Sequence, residues 1–225
     1  MGSVLASKIR DDAADILVDR SFTRHGARYL GWINDGQVTA TSLKPDISVG
    51  VRTLQLVEGI YQSISADAHA LLRPIRNMGV TGLVPGARIV TVDYDHFENN
   101  NPDWMSATPS AAVEVIMFDE RNERGFFCYP PQPAAPGKIQ VVEGIVPADI
   151  ATINDPITIA DINEPFLLQY VLFRGYAATS SPIAKTSSMS AWNMFVTGLG
   201  RKDMVDTVIS PNRARKILQG EANGS

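Results

Sequence analysis

The feature that most constrains this chain is a change of hydrophobic period that happens twice. Near residue 47, apolar spacing of three and four residues gives way to short β-branched and aromatic runs; near residue 148 the helical spacing returns. This pattern predicts an α+β fold. A helical bundle is built from N- and C-terminal helices (1–46 and 149–200), an antiparallel β-module is inserted at 47–148, and an extended tail occupies 201–225. A chain of 225 residues is long enough to bury a sizeable core.

Val4, Leu5, Ile9, Ala13, Ile16 and Leu17 fall on one face of a first helix, with Ser3 as its cap. A short link, Asp19 to Phe22, leads to Thr23, the cap expected for a second helix. That helix has Leu30, Ile33, Gln37 and Thr41 on one side, with Tyr29, Trp32 and Gly36 beside them. Pro45 closes it, because proline disfavours the helical conformation in the residue before it. A link this short implies an antiparallel helical hairpin.

The middle holds VRTLQLV, ALLRPIRNM, ARIVTVDY, AVEVIMFDE, GFFCY and KIQVVEGIV, which predict five or six strands. Pro74 places ALLRPIRNM at an edge or a bulge. The stretch FDERNERGFFCYPPQP reads as a β-hairpin. Its charged turn (Asp119, Glu120, Arg121, Glu123, Arg124) is expected to reach a neighbouring subunit or a tail component. Phe126, Phe127 and Tyr129 are its anchors, and Pro130 and Pro131 are expected to end the strand and blunt an exposed edge. Trp32 and Trp104 are read as structural anchors.

After Pro147 a connector carries Asp161 and Asn163 as candidate caps and Pro165 near a first helical position. The helix predicted over 165–178, PFLLQYVLFRGYAA, is apolar on nearly every side. It is buried either by the rest of this chain or between subunits. A last helix sets Met189, Trp192, Phe195, Val196 and Leu199 on one face. The tail gathers Arg201, Lys202, Arg213, Arg215 and Lys216 around Ile217 and Leu218, and reads as an arm that docks on an acidic surface.

Candidate chemistry is sparse. The net charge of −4 argues against nucleic-acid binding by bulk electrostatics, and the lone Cys128 excludes an intrachain disulfide. His25, His69 and His96 match no metal-ligand spacing. In DYDHFENNNPD, Asp93, Asp95, Glu98, Asn100 and Asp103 offer hard oxygens suited to calcium. The segment lacks the glycine and closing glutamate of an EF-hand and reads as a polar, turn-rich loop. GVTGLVPG is read as a loop rather than a phosphate cradle, and Cys128 as a small buried hydrophobe. No catalytic residue, cofactor or metal site is expected, and no run is long and apolar enough to span a membrane.

Three blocks of the chain resemble one known family. They are Leu30-Gly31-Trp32-Ile33-Asn34-Asp35-Gly36-Gln37, then NPDWMSATP with VEVIMFDERNERGFFCYPPQP, then VPADI…NDPITIADINEPFLLQYVLFRGYA. The sequence is similar to the head-to-tail adaptor, or neck, proteins of tailed phages, most like those of short-tailed phages. The resemblance departs at Arg24 and His25, where members often have acidic residues, and does not cover the basic tail. It implies a structural virion protein that assembles in the host cytoplasm. It also implies a closed ring, usually dodecameric, under the portal protein, which extends the DNA channel and retains the packaged genome. A tail nozzle or tail-tube protein would dock on it, and DNA would pass without sequence-specific binding. Other tail or baseplate completion proteins share this logic, and a DNA- or ligand-binding regulator is a further alternative.

Overall fold

The structure is a computed structural model that describes residues 3–119 and 121–200. In chain order its elements are α1 (Ala6–Ile16), α2 (Tyr29–Leu43), β1 (Val49–Gln55), β2 (Gly59–Ser63), β3 (Ala68–Asn77), β4 (Val90–Thr91), α3 (Tyr94–Asn100), β5 (Val115–Phe118), β6 (Gly125–Gln132), β7 (Lys138–Ile145), α4 (Glu164–Ala177) and α5 (Pro182–Gly198). The fold is α+β and forms two compact units. One is the chain up to Ser48 together with the chain from Val146; the other contains Val49–Ile145.

In the helical unit, α1, α2 and α4 share one apolar cluster, with Ile9, Ala13, Ile33, Leu167 and Val171 fully buried. A second cluster joins α2, α4 and α5 through Ala40, Tyr170 and Phe195. α4 therefore has apolar neighbours on opposite sides, which explains why its sequence shows so little amphipathicity. Gly36 permits the α2–α4 approach, because a Cβ there would lie 2.9 Å from the Tyr170 ring.

The β unit has two sheets, ordered β1-β7-β3 and β2-β6-β5-β4. All pairings are antiparallel except β4–β5, which is parallel. Along β6 the side chains alternate. Phe126 and Cys128 enter a cluster shared with Leu71, Ile139 and Val141 of the first sheet, whereas Phe127 and Tyr129 join Phe97 of α3, Trp104 and Met117. The second sheet is thus covered on both faces.

Several local expectations are corrected. α1 begins after Leu5, and Ser3 bonds Asp161 instead of capping a helix. α2 starts at Tyr29, so Thr23 caps nothing and the link is longer than expected. GIYQS forms a seventh strand that sequence pattern did not mark, since its inward residue is polar: Gln62 is buried and bonds the Val57 backbone. ARIVTVDY supplies only two strand residues before α3 begins, and the supposed acidic loop is that helix, with Asp93 accepting from the His96 N–H at 3.0 Å. Asp93 is thereby committed as a cap. β6 continues through Pro130 and Pro131 and lies inside its sheet, so the prolines neither end it nor guard an edge. They fit because pairing with β2 is irregular there. Gly59 faces Gln132 while Tyr61 faces Phe127, and the missing donors fall within that irregularity. Pro74 lies on edge strand β3 beside a register shift.

Candidate assembly surfaces

The Leu30–Gln37 block does its work through polar side chains as well as apolar ones. Trp32 and Ile33 enter the core, while Asn34 and Gln37 reach the irregular connector that begins after Val146. Asn34 exchanges two bonds with the Ile150 backbone, accepting at 2.9 Å and donating at 3.2 Å. The Gln37 carbonyl oxygen accepts from the Thr158 N–H at 2.7 Å, the Thr158 hydroxyl at 2.9 Å and the Ile159 N–H at 3.3 Å. Asp35 pairs with Arg174 of α4. At the other end of the connector, the Asp161 carboxylate takes the Ser3 and Val4 N–H groups and the Ser3 hydroxyl. Those bonds from Val4 and Ser3 hold the Asp161 carboxyl below the usual carboxylate range. Asn163 precedes α4 but makes no capping bond, and its amide donates to the Ala160 carbonyl.

α1 ends in a Schellman motif: the Asp19 N–H bonds the Ala14 carbonyl at 2.8 Å and the Val18 N–H the Asp15 carbonyl at 3.3 Å. The left-handed position of that motif, usually glycine, is Val18, with φ +54° and 81% exposure. A β-branched residue there costs about 1–3 kcal/mol. The buried Asp19 carboxylate fixes the link into α2, accepting from the Arg24 and His25 N–H groups and the Tyr29 hydroxyl. Burial pushes this carboxyl up, but the two backbone bonds outweigh it and hold it below its ordinary range. Burial, then the adjacent Asp19 charge, pushes the Tyr29 phenol up to about 12. Arg10 covers the Phe22 ring at 4.6 Å and makes the link a compact knob.

On α5, Thr186, Met189, Ser190, Asn193, Met194 and Thr197 form an outer face bordered by exposed Lys185, with Met189 69% and Met194 56% exposed. Beside it lies a groove of about 360 Å³ lined by Thr39, Tyr170, Phe173, Met189 and Trp192.

In the β unit, the expected hairpin turn lies between β5 and β6. Much of its polarity is spent internally. The Asp119 carboxylate accepts from the Arg121 N–H at 2.9 Å and the Tyr61 hydroxyl at 3.2 Å, and the Arg124 guanidinium donates to the Ala66 carbonyl at 3.2 Å. Arg121 and Glu123 are exposed, and Glu120 lies outside the described residues. Asp93, Tyr94, Asp95, Phe118, Asp119, Arg121 and Phe127 line a cleft of about 520 Å³ beside the turn. Trp32 is 6% exposed, Trp104 2% and Phe126 fully buried, and Tyr129 packs against Phe97. Burial pushes the Cys128 thiol up to about 12.

The glycine run GVTGLVPG forms a closed loop that exposes Val80, Leu83 and Val84. Asn77 clamps its base: the Asn77 N–H bonds the Ala87 carbonyl at 2.9 Å, and the side chain exchanges two 2.7 Å bonds with Val113. Sequence reasoning missed Val18, Asn77 and the α5 groove. A polar residue two positions before a glycine run is the signal that could have marked Asn77.

The basic residues Arg201, Lys202, Arg213, Arg215 and Lys216, with Ile217 and Leu218, lie outside the described residues. Among the described residues no group of His, Cys, Asp and Glu side chains is placed to hold a metal, and no helix is long and apolar enough to cross a membrane.

Among the described residues, what stands out is surface: a closed apolar loop in the β unit and an exposed face on α5. The chain belongs to the SU10 adaptor protein family, whose sequence model matches residues 4–215, and it is a phage head-to-tail adaptor, a structural component of the virion. Comparison with curated proteins gave no significant match.

Proposed function

We propose that copies of this chain form a closed ring beneath the portal at the virion neck. The ring, a dodecamer in this reading, continues the DNA channel, retains the packaged genome and offers the tail nozzle or tail tube its docking surface. The observation that carries this is the family match over residues 4–215, which spans every described element. The exposed, Met-bearing face of α5 supports it as one of the two different faces that a head-to-tail ring contact needs on each subunit. A net charge of −4 suits a lumen through which phosphates slide rather than bind. Within this reading, Arg121 and Glu123 of the hairpin turn face a neighbour or the tail. Arg201, Lys202, Arg213, Arg215, Lys216, Ile217 and Leu218 form the arm that docks on portal.

Mass photometry of the purified chain, alone and mixed with portal rings of its own phage, tests the proposal. A discrete complex with a full ring of copies per portal is the expected result, with removal of residues 201–225 weakening it. A folded chain that never associates with portal, yet binds tail proteins, would replace this reading with a tail-completion role.

A further inference from the structure

We infer that the free edge of β1 is a ring contact, completed by residues 204–210 of a neighbouring copy, which add to the sheet as a strand. The inference rests on the ring reading above and names its contact. β1 is an outer strand of the sheet β1-β7-β3 and pairs with β7 along its whole length without a register shift. The ladder runs on into Leu56, whose N–H bonds the Gly137 carbonyl at 3.2 Å. By alternation, Gly50, Arg52 and Leu54 are the residues that bond β7. The backbone groups of Val49, Val51, Thr53 and Gln55 point the other way, and among the described residues they have no hydrogen-bond partner. The same four residues carry the exposed side chains of the strand, with Val49 52% and Val51 61% exposed, whereas Leu54 packs on the core.

An unpaired edge is a template for another strand, and proteins blunt such edges with proline, bulges, charge or a covering segment. The opposite edge of this sheet, β3, has all four: Pro74, three register shifts, exposed Arg73 and Arg76, and residues 86–89 laid along it. β1 has no proline and no shift, and its one charged residue, Arg52, is paired with Asp67. The chain beyond Gly200 supplies the occupant. There the run Met204-Val205-Asp206-Thr207-Val208-Ile209-Ser210 holds no glycine, includes four β-branched residues, and stops at Pro211. It matches β1 in length. At a period of two, Val205, Thr207 and Ile209 share one face and would lie beside Val49, Val51 and Thr53 as cross-strand neighbours. The family model extends to residue 215, so this run is part of the family's shared sequence. Arg213, Arg215 and Lys216 follow Pro211 and stay available to portal. A donated strand and an accepting edge are two different surfaces on every copy, as head-to-tail closure requires. A strand folded back on its own edge would occupy both.

The test uses the full chain with engineered cysteines, since the native Cys128 is buried. Val51→Cys chains are mixed with chains carrying one cysteine between 205 and 209, and assembled on portal rings under mild oxidation. Disulfide dimers should form with Val205→Cys, Thr207→Cys or Ile209→Cys and not with Asp206→Cys or Val208→Cys, because side chains alternate across a strand. Thr207→Pro should raise the concentration needed for ring formation at least about tenfold. Val51→Pro should do the same with an unchanged circular dichroism spectrum, because the N–H it removes is one that β7 does not use. Normal rings from both proline variants, with no cross-link, would overturn the contact and leave the ring reading standing. Loss of rings in Val51→Pro alone would assign the edge to another protein's strand, and loss in Thr207→Pro alone would assign the run to portal; either overturns the pairing. A cross-link found only within single chains of the double variant Val51→Cys/Thr207→Cys would overturn the second copy as occupant. Alternating cross-links between chains in solution, with no ring on portal, would uphold the pairing and overturn the portal reading. Folded chains that give neither cross-link nor ring would overturn both.

Discussion

The helical unit and the β unit solve the same problem, closure of irregular chain onto a regular scaffold, by different means. In the helical unit, three side chains of α2 and the connector (Asn34, Gln37 and Asp161) bond backbone groups more than a hundred residues away. In the β unit, ladder register and two apolar layers do most of the holding, with Asn77, Gln62 and Gln132 as polar clamps on nearby loops. The difference teaches where each unit is vulnerable. Packing defects should dominate in the sandwich, and polar substitutions or acid should dominate in the bundle.

The largest effect is expected at Phe126, which is fully buried between the sheets. Phe126→Ala should destabilise the β unit by about 3–5 kcal/mol, read by hydrogen exchange confined to that unit. Equal loss of protection in both units would break the distinction. Next is Gln37→Ala, which strands the Thr158 and Ile159 donors and should cost the helical unit about 1–3 kcal/mol. Calorimetry with exchange mapped to residues 148–163 checks this, and a loss under about 0.5 kcal/mol would mean that water replaces the glutamine.

Acid sharpens the contrast further. Asp19 has its folded pKa held below the ordinary 3.8, so its contribution is whole above that value and is lost as pH falls through the folded value. Asp161 behaves in the same way, and both tether backbone in the helical unit. The β unit has its own depressed carboxyl, Asp67 beside Arg52, but that pair is exposed and contributes little. The indole signals of Trp32 and Trp192 should shift at higher pH than that of Trp104, and Asp19→Asn should narrow the gap. The smallest effect on stability is expected at the hairpin tip. Replacing Arg121 and Glu123 by serine should change stability by less than about 0.5 kcal/mol, while weakening assembly measured by mass photometry.

The sequence revealed the long elements and concealed the short ones. α4 and α5 were legible because each carries an apolar pattern over several turns, and Pro45, Pro165 and Pro182 mark their limits or those of α2. α3 was not, because seven residues rich in acid and amide look like loop; the Asp93 cap and the Tyr94–Phe97 spacing were the available signal. β2 was missed because Gln62 points inward where the strand pattern expects an apolar residue. The double proline misled because its natural reading is a strand end, and only the irregular pairing opposite Gly59 makes it compatible with an interior strand. The candidate surfaces were less legible still. Exposure of Val18 and Met189 depends on packing of neighbouring helices, which one-dimensional spacing does not report. The polar bonds of Asn34 and Gln37 span a sequence distance that no local motif encodes.

The closed loop after Asn77 has a consequence for how such a protein changes over generations. Its ends are held together by the Asn77–Ala87 bonds, and Lys138 of β7 donates to the Thr81 carbonyl within it at 3.3 Å, so the first half is read by the sandwich and the exposed Leu83 and Val84 carry what can vary. The segment behaves as a cassette: its length and tip can drift with the shape of whatever surface it meets, while the frame on which it is mounted keeps its register.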